Sequence, residues 1–466
     1  MQMRIATMSV MFAALLLLGQ HVESATTSQQ PLARDEMAIP AGRYQNGIDM
    51  AHTCRVGMNA PQSKPTLKWK VKPTVTNDYT DIMVDGEGGI WYPDGDPEDT
   101  SSYKIVRLKP DGSEDWERDL FPDRDQSQKS AGQSEDIPDA SEREFIRPVV
   151  ACNGAVICHA ALESWPAIED RITNGALPTG KAFLQCLDLK GNTRWRTDQM
   201  EFVEYNMVSW RGDEDRLIAI ASQTSLNVYS LADGSYVRTV AVPGWTSMSG
   251  NGPIPIPGGD WILHSEFVNG TAAPYLSRIR PDGLVVWTIT NFSQYSFSQP
   301  VTYSDAGLLL YGNGYGISAF DVGSGKELWY KYDAINFPCG VTPDGNFVVV
   351  GWTQNGTDER SHARELDPQG NEVWATEAGG AASLILGNSF IIYQDGCMLF
   401  GDAYGLHLLE KNGSVRWTVS PEDLGYPAGR QTEFSSINPA QDGGLVVSVN
   451  GKAEDNYKLS IFGLSL

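Results

Sequence analysis

A pattern of Gly, three residues and Trp recurs six times along this chain. The copies are Gly112 to Trp116, Gly191 to Trp195, Gly283 to Trp287, Gly325 to Trp329, Gly370 to Trp374 and Gly413 to Trp417. Each follows a strand-like stretch that ends in a turn, as in Ile-Val-Arg-Leu-Lys-Pro-Asp-Gly before Trp116. The last three intervals between these Trp residues are 42, 45 and 43 residues. A near-constant period in this range means one supersecondary unit stacked many times.

The clearest unit spans residues 331–377. Cys339-Gly340-Val341 leads into the turn Pro343-Asp344-Gly345-Asn346, and Phe347 to Trp352 reads as a buried strand. After a polar loop come a third strand at Ala363 to Asp367, the turn Pro368-Gln369-Gly370 and a fourth strand at Glu372 to Thr376. That is strand A, tight turn, strand B, loop, strand C, tight turn, strand D. Many Asn-Gly, Asp-Gly and Gly-Gly pairs, among 47 Gly and 26 Pro, supply the hairpin chemistry.

Carried along the chain, this reading gives eight units. One holds an acidic insertion at about 121–144 without strand character. Another is degenerate, with Arg238 where Trp is expected. The ends complement each other. Leu67-Lys68-Trp69-Lys70 reads as a strand D with nothing before it, and Tyr457 to Leu464 as a strand C with nothing after it. Pairing them leaves no open edge. The expected fold is therefore all-β: an eight-bladed β-propeller of four-stranded antiparallel blades, closed by the N- and C-terminal strands. The expected domains are a signal peptide at 1–24, an irregular extension at 25–66 and the propeller at 67–466.

Arg4, the apolar run Ile5 to Leu18 and the small-residue site Val22-Glu23-Ser24 predict the signal peptide. No Cys precedes Cys54, so no lipid-accepting Cys sits at that junction. No later stretch is apolar enough to span a bilayer. A secreted or periplasmic, soluble, monomeric protein is expected. A net charge of −23 argues against a nucleic-acid partner, which needs a basic face. Six Cys, at 54, 152, 158, 186, 339 and 397, permit disulfides in an exported chain or stand as buried thiols, and both readings stay open.

The run Ala319-Phe320-Asp321, Gly325-Lys326, Trp329 resembles the repeat of the pyrroloquinoline-quinone-type propellers. Leu187-Asp188 with Gly191 and Trp195, and Leu366-Asp367 with Gly370 and Trp374, are weaker copies. The resemblance covers residues 67–466. It implies that each Trp packs between neighbouring blades and that the Asp-x-x-Gly forms the C-to-D turn. The family includes quinone-dependent dehydrogenases, assembly-factor lipoproteins and uncharacterised exported proteins. This chain lacks the dehydrogenases' adjacent Cys pair, a CxxCH haem motif and the lipoproteins' Cys. No cofactor is expected, neither the quinone nor haem.

In a propeller the B-to-C and D-to-A loops share one face, where ligands bind. The D-to-A loops are read as carrying Tyr79, Arg147, Tyr205, Trp245, Tyr295, Asn336 and Arg430. The B-to-C loops are read as carrying Asp94, Asp96, Glu98, Glu163, Trp165, Glu266, Glu359 and Arg360. Aromatic rings stack on sugars, and Arg with carboxylates fixes hydroxyls, so an extracellular carbohydrate or protein ligand is the expected partner. Tyr79, Trp245, Tyr295, Asn336 and Trp165 are the candidate ligand contacts.

His159 and His264 each follow the Gly of an A-to-B turn by five residues and share a repeat position at the upper end of strand B. With Arg147, Arg430 and Tyr205 they could serve a polysaccharide lyase: an acid/base removes a proton beside a carboxylate that Arg neutralises. The alternative is a pair of strand-end histidines bonded to neighbouring loops. Asp94, Asp96 and Glu98 alternate carboxylates as a calcium loop does, or form a solvated acidic loop. A carbohydrate-binding propeller is the leading reading. The lyase and a protein-assembly scaffold are its alternatives.

Overall fold

The computed structural model describes residues 55–466, apart from 75–81, 96–103, 122–140, 166–178, 202–207, 242–253, 291–300, 379–389, 451–458 and some shorter stretches. These residues belong to one compact unit, Ile39–Leu466. Among them no α-helix occurs. A single short 3-10 turn at Glu422–Leu424 interrupts a pattern of strands assembled into eight antiparallel sheets.

Sheets 1 to 8 are numbered here in chain order, and within each the strands run A, B, C, D. Sheet 6 shows the plan: Asn336–Val341, Phe347–Asn355, Asp358–Leu366 and Glu372–Ala378, each hydrogen-bonded to the next. Sheet 2 adds a fifth short strand, Met200–Glu201, against its strand C. The degenerate unit is a regular sheet 3, with strand D at Tyr236–Ala241. Sheet 8 is composite. Glu433–Pro439, Leu445–Asn450 and Leu459–Ser465 are its first three strands, and Thr66–Val71 is its fourth. The register sets Leu67 opposite Leu464, Trp69 opposite Gly463 and Lys70 opposite Phe462.

Strands B and C are the most buried. Phe347, Val348, Val349 and Val350 are all fully buried, because both faces of each sheet are covered by neighbours. Strands D alternate between half-buried and exposed positions.

The seams between sheets repeat one contact. The ring of Trp69 lies against Gly112 of sheet 1, Trp116 against Gly191, Trp195 against Gly234, Trp287 against Gly325, Trp329 against Gly370 and Trp374 against Gly413. In each case the Trp of one strand D meets the C-to-D turn of the next sheet. The indole N–H then donates to a carbonyl of that turn, as from Trp116 to Leu189 at 3.0 Å, Trp287 to Val322 at 2.9 Å and Trp329 to Pro368 at 2.9 Å. Burial of the ring and satisfaction of its one donor come together. Trp374 differs: its N–H turns back to Glu365 in its own sheet, at 2.5 Å. At the seam of sheets 3 and 4, where Arg238 replaces Trp, Gly283 meets Val240 and the Ala241 carbonyl instead.

The turns are built by the Asx chemistry that the sequence carries. Asp188 Oδ1 accepts the N–H groups of Lys190 and Asn192, and Asp367 Oδ1 those of Gln369 and Asn371.

The seam of sheets 7 and 8 has no covalent C-to-D turn on its far side, since strand D comes from the other end of the chain. Pro61, upstream of that strand, stands in. Its carbonyl accepts from Trp417 Nε1 at 3.2 Å and from Arg416 Nη1 at 3.0 Å. Residues 55–60 run along sheet 7. Arg55 bridges Ile392 in parallel, Val56 N–H donates to the Ile392 carbonyl at 2.8 Å, and Gln394 N–H donates to Met58 O at 2.9 Å. Val56 and Ala60 join the core cluster that holds Trp417, Leu424, Phe434 and Phe462.

Candidate functional site

The register of sheets 2 and 4 fixes the two histidines. Trp195 stands opposite Cys186, which pairs with Ile157, and His159 lies two residues further along strand B. Trp287 stands opposite Arg278, which pairs with Ile262, and His264 lies two residues further. They do share one repeat position. That position is not a strand end, however. Strand B runs on to Trp165 in sheet 2 and to Val268 in sheet 4. The same row holds Val350 in sheet 6 and Ser448 in sheet 8, both fully buried. His159 is itself buried.

Arg147 is also corrected. It lies inside strand A of sheet 2, Ser141–Cys152, directly opposite His159 in register. The strand begins at Ser141, so the acidic insertion ends earlier than its composition suggests. Glu163 and Trp165 belong to strand B of sheet 2, Glu266 to strand B of sheet 4, Glu359 and Arg360 to strand C of sheet 6, and Asn336 opens strand A of sheet 6. The hairpins extend further than turn signals indicate, because cross-strand pairing continues into polar sequence when both partners are long. Tyr79, Tyr205, Trp245 and Tyr295 lie outside the described residues, as do Asp96 and Glu98. Asp94 is engaged by protein: it accepts from the Thr74 N–H at 2.7 Å, the Thr74 hydroxyl at 2.6 Å and the Gly95 N–H at 2.8 Å.

The loop face is described best where sheet 7 meets sheet 8. The B-to-C turn of sheet 7 is Asp402-Ala403-Tyr404-Gly405. Asp402 is buried and accepts the N–H groups of Tyr404 at 2.8 Å and Gly405 at 3.1 Å. His407 braces the turn, with Nε2 3.0 Å from Asp402 Oδ1 and Nδ1 3.0 Å from Thr418 Oγ1. This leaves Tyr404 at 40% exposure on the turn's tip. The D-to-A segment arrives beside it, since Thr432 N–H donates to the Ala403 carbonyl at 3.0 Å. That segment carries Arg430, half-buried, with its guanidinium carbon 5.7 Å from the centre of the Tyr426 ring. Lys70 Nζ lies 4.7 Å from the same ring. Tyr426 is thus flanked by two cations, an arrangement its π-face favours.

Arg430 was legible as a loop-face residue. Tyr404, Tyr426 and Lys70 were not. Two residues between strands B and C give no loop signal, and Lys70 reads as one more charged strand residue.

The segment is anchored at its other end. Asp423 Oδ2 accepts from Lys64 Nζ at 2.5 Å and from Ser420 N–H at 2.7 Å. Burial pushes this carboxyl up, but those two partners more than offset it and hold it below the usual range. Below the turns of sheet 7, Arg416 grips Glu410 through Nε at 2.7 Å and Nη2 at 2.8 Å, and its Nη2 also reaches Cys397 Sγ at 3.1 Å. The hydrogen bonds from Arg416 hold Glu410 below the usual carboxylate range. Burial and the nearby Asp395 push the Cys397 thiol up to about 12, so it stays protonated.

No protein-family model matches this sequence, and no curated protein does. Solved structures do. A europium-containing methanol dehydrogenase aligns with 92% of this chain and 98% of its own, at a TM-score of 0.54 and 10% identity. The chain has the β-propeller fold. BamB from Moraxella catarrhalis aligns with 87% of this chain and 98% of its own, at a TM-score of 0.45 and 11% identity. At such identities the likeness concerns the fold alone.

The sequence has no adjacent Cys pair. Of the described thiols, Cys158 and Cys186 are buried in strands B and C of sheet 2, while Cys397 is buried in sheet 7. Among the described residues no group of acids, His and Cys could hold a metal ion, and no helix is long and apolar enough to cross a membrane.

Proposed function

We propose that this chain is an exported eight-bladed propeller, closed by strand Thr66–Val71, that binds an extracellular carbohydrate on its loop face without transforming it. The observation that carries this reading is the burial of His159 inside strand B of sheet 2. An acid/base must reach a proton on a substrate, and His159, like Val350 and Ser448 at the same repeat position, is buried. This burial speaks against His159 as a titrating group of the lyase reading. Binding keeps its groups: Tyr404, Tyr426 and Arg430 gather where sheets 7 and 8 meet, and an aromatic ring with a guanidinium suits sugar hydroxyls and carboxylates.

No quinone or haem takes part in this reading, and none is required for binding. The test is a glycan array followed by calorimetry with the best ligand, alongside ultraviolet absorbance on uronate polymers. Saturable binding that Arg430→Ala weakens about tenfold or more, without a new unsaturated product, is expected. An absorbing product would establish the lyase. No glycan signal at all would leave a protein ligand as the occupant of this face.

A further inference from the structure

Two seams are filled by an arginine that strand C sends toward its own A-to-B turn. In sheet 1, Arg107 is buried and donates from Nε to Asp85 Oδ2 at 2.8 Å. Its guanidinium lies over Gly89, close enough that a Cβ there would be 2.5 Å from Cζ. In sheet 4, Arg278 donates from Nε to Asp260 Oδ2 at 2.7 Å. Both arginines stand opposite the strand-D Trp, at Trp116 and Trp287. The equivalent residue of sheet 8, opposite Trp69, is Gly463. No side chain can replace it, because a Cβ would come 2.1 Å from the Trp69 ring.

At the seam of sheets 8 and 1 the Trp69 ring lies over Gly463 instead, and no arginine extends from strand C to the A-to-B turn. A cavity of about 280 Å³ lies there, lined by Trp69, Ile90, Pro110 and Val446. Lys68 and Asp442 stand at its mouth, both half-exposed, with Nζ 3.6 Å from Oδ2. Such an exposed pair is weakly held and gives way readily to a better partner.

We propose that this cavity binds a guanidinium group on an alkyl stem, as in arginine or an arginyl side chain of a peptide. The bound group would supply from outside what Arg107 and Arg278 supply from within. Its stem would lie on Ile90 and Val446, its plane against the Trp69 ring, and its N–H groups on the Asp442 carboxylate. The net charge of −23 favours a cation at every approach. This site lies at the turn end of the sheets and is independent of the loop-face reading.

The test is isothermal calorimetry with N-acetylarginine amide, free arginine, and the uncharged isostere N-acetylcitrulline amide. Saturable binding of the arginine amide and none of the citrulline amide are expected. If free arginine binds and the amide does not, the site takes the amino acid; if both bind, it takes an arginyl side chain. Two surface variants then pull in opposite directions. Asp442→Asn should weaken binding about tenfold or more, and Lys68→Gln should tighten it several-fold by removing the competing ammonium. Circular dichroism shows that each variant is folded. Absence of saturable binding, equal binding of the citrulline amide, or an Asp442→Asn variant that binds normally overturns the proposal.

Discussion

Gly325 shows how little freedom a seam leaves to one residue. Its φ of +69° is disfavoured for any side chain, and a Cβ would lie 2.8 Å from the Trp287 ring. Gly325→Ala therefore adds backbone strain to overpacking, and we expect a loss of roughly 2–4 kcal/mol in denaturant unfolding. Gly345 has a similar φ of +87° but nothing within 4 Å of such a Cβ. Gly345→Ala should cost visibly less, and equal costs would mean that the Trp contact is unimportant. Cys397 gives a second residue-scale test. A buried thiol held near 12 reacts only when the sheet opens, so alkylation in the native state should be slow and should accelerate in parallel with unfolding. His159→Ala opens a buried site and should lower stability while leaving ligand binding intact; loss of binding in a fully folded variant would return the histidine to the site.

At the scale of elements, the sequence showed strands and turns where they rest on local chemistry. Asp-x-x-Gly makes an Asx turn wherever it stands, as at Asp188 and Asp367. Trp329 announces a strand D because a large ring must find a seam. Arg147 was misplaced because its strand is extended only by pairing with a partner about a dozen residues away, which no local signal reports. The cation pair around Tyr426 depends on strands from opposite ends of the chain. The element that most needs a test is the strand Thr66–Val71. Deleting residues 457–466 removes the partner of that strand and of Trp69. Loss of cooperative unfolding or gross aggregation is expected. A truncated protein that melts like the full chain would show that this pairing contributes little.

For the whole molecule, charge and cofactor can be tested in solution. The carboxyls of Glu410 and Asp423, at the seam of sheets 7 and 8, are held below their ordinary values. A depressed carboxylate contributes stability above its unfolded pKa and loses it as pH falls through the folded value. Stability should thus be flat above about pH 5 and fall steadily below about pH 4. Arg416→Gln, which releases Glu410, should flatten that acid limb, and an unchanged limb would place the acid-labile groups elsewhere. Adding pyrroloquinoline quinone with calcium should leave the melting temperature unmoved, since only a ligand that prefers the folded state raises it. A saturable rise would overturn the cofactor-free reading.

The carbonyl that Pro61 lends to Trp417 has a kinetic meaning. Every other Trp of the repeat finds its seam partner one sheet away, within reach as the polypeptide emerges. Trp417 and Pro61, and likewise the strands Thr66–Val71 and Leu459–Ser465, must find each other across nearly the full length of the chain. The first described strand to be synthesised is therefore among the last to be paired. Until then seven hairpin stacks would hold one open edge at each end, and the protein's exposure to wrong partners would be decided by how quickly its own beginning returns to its end.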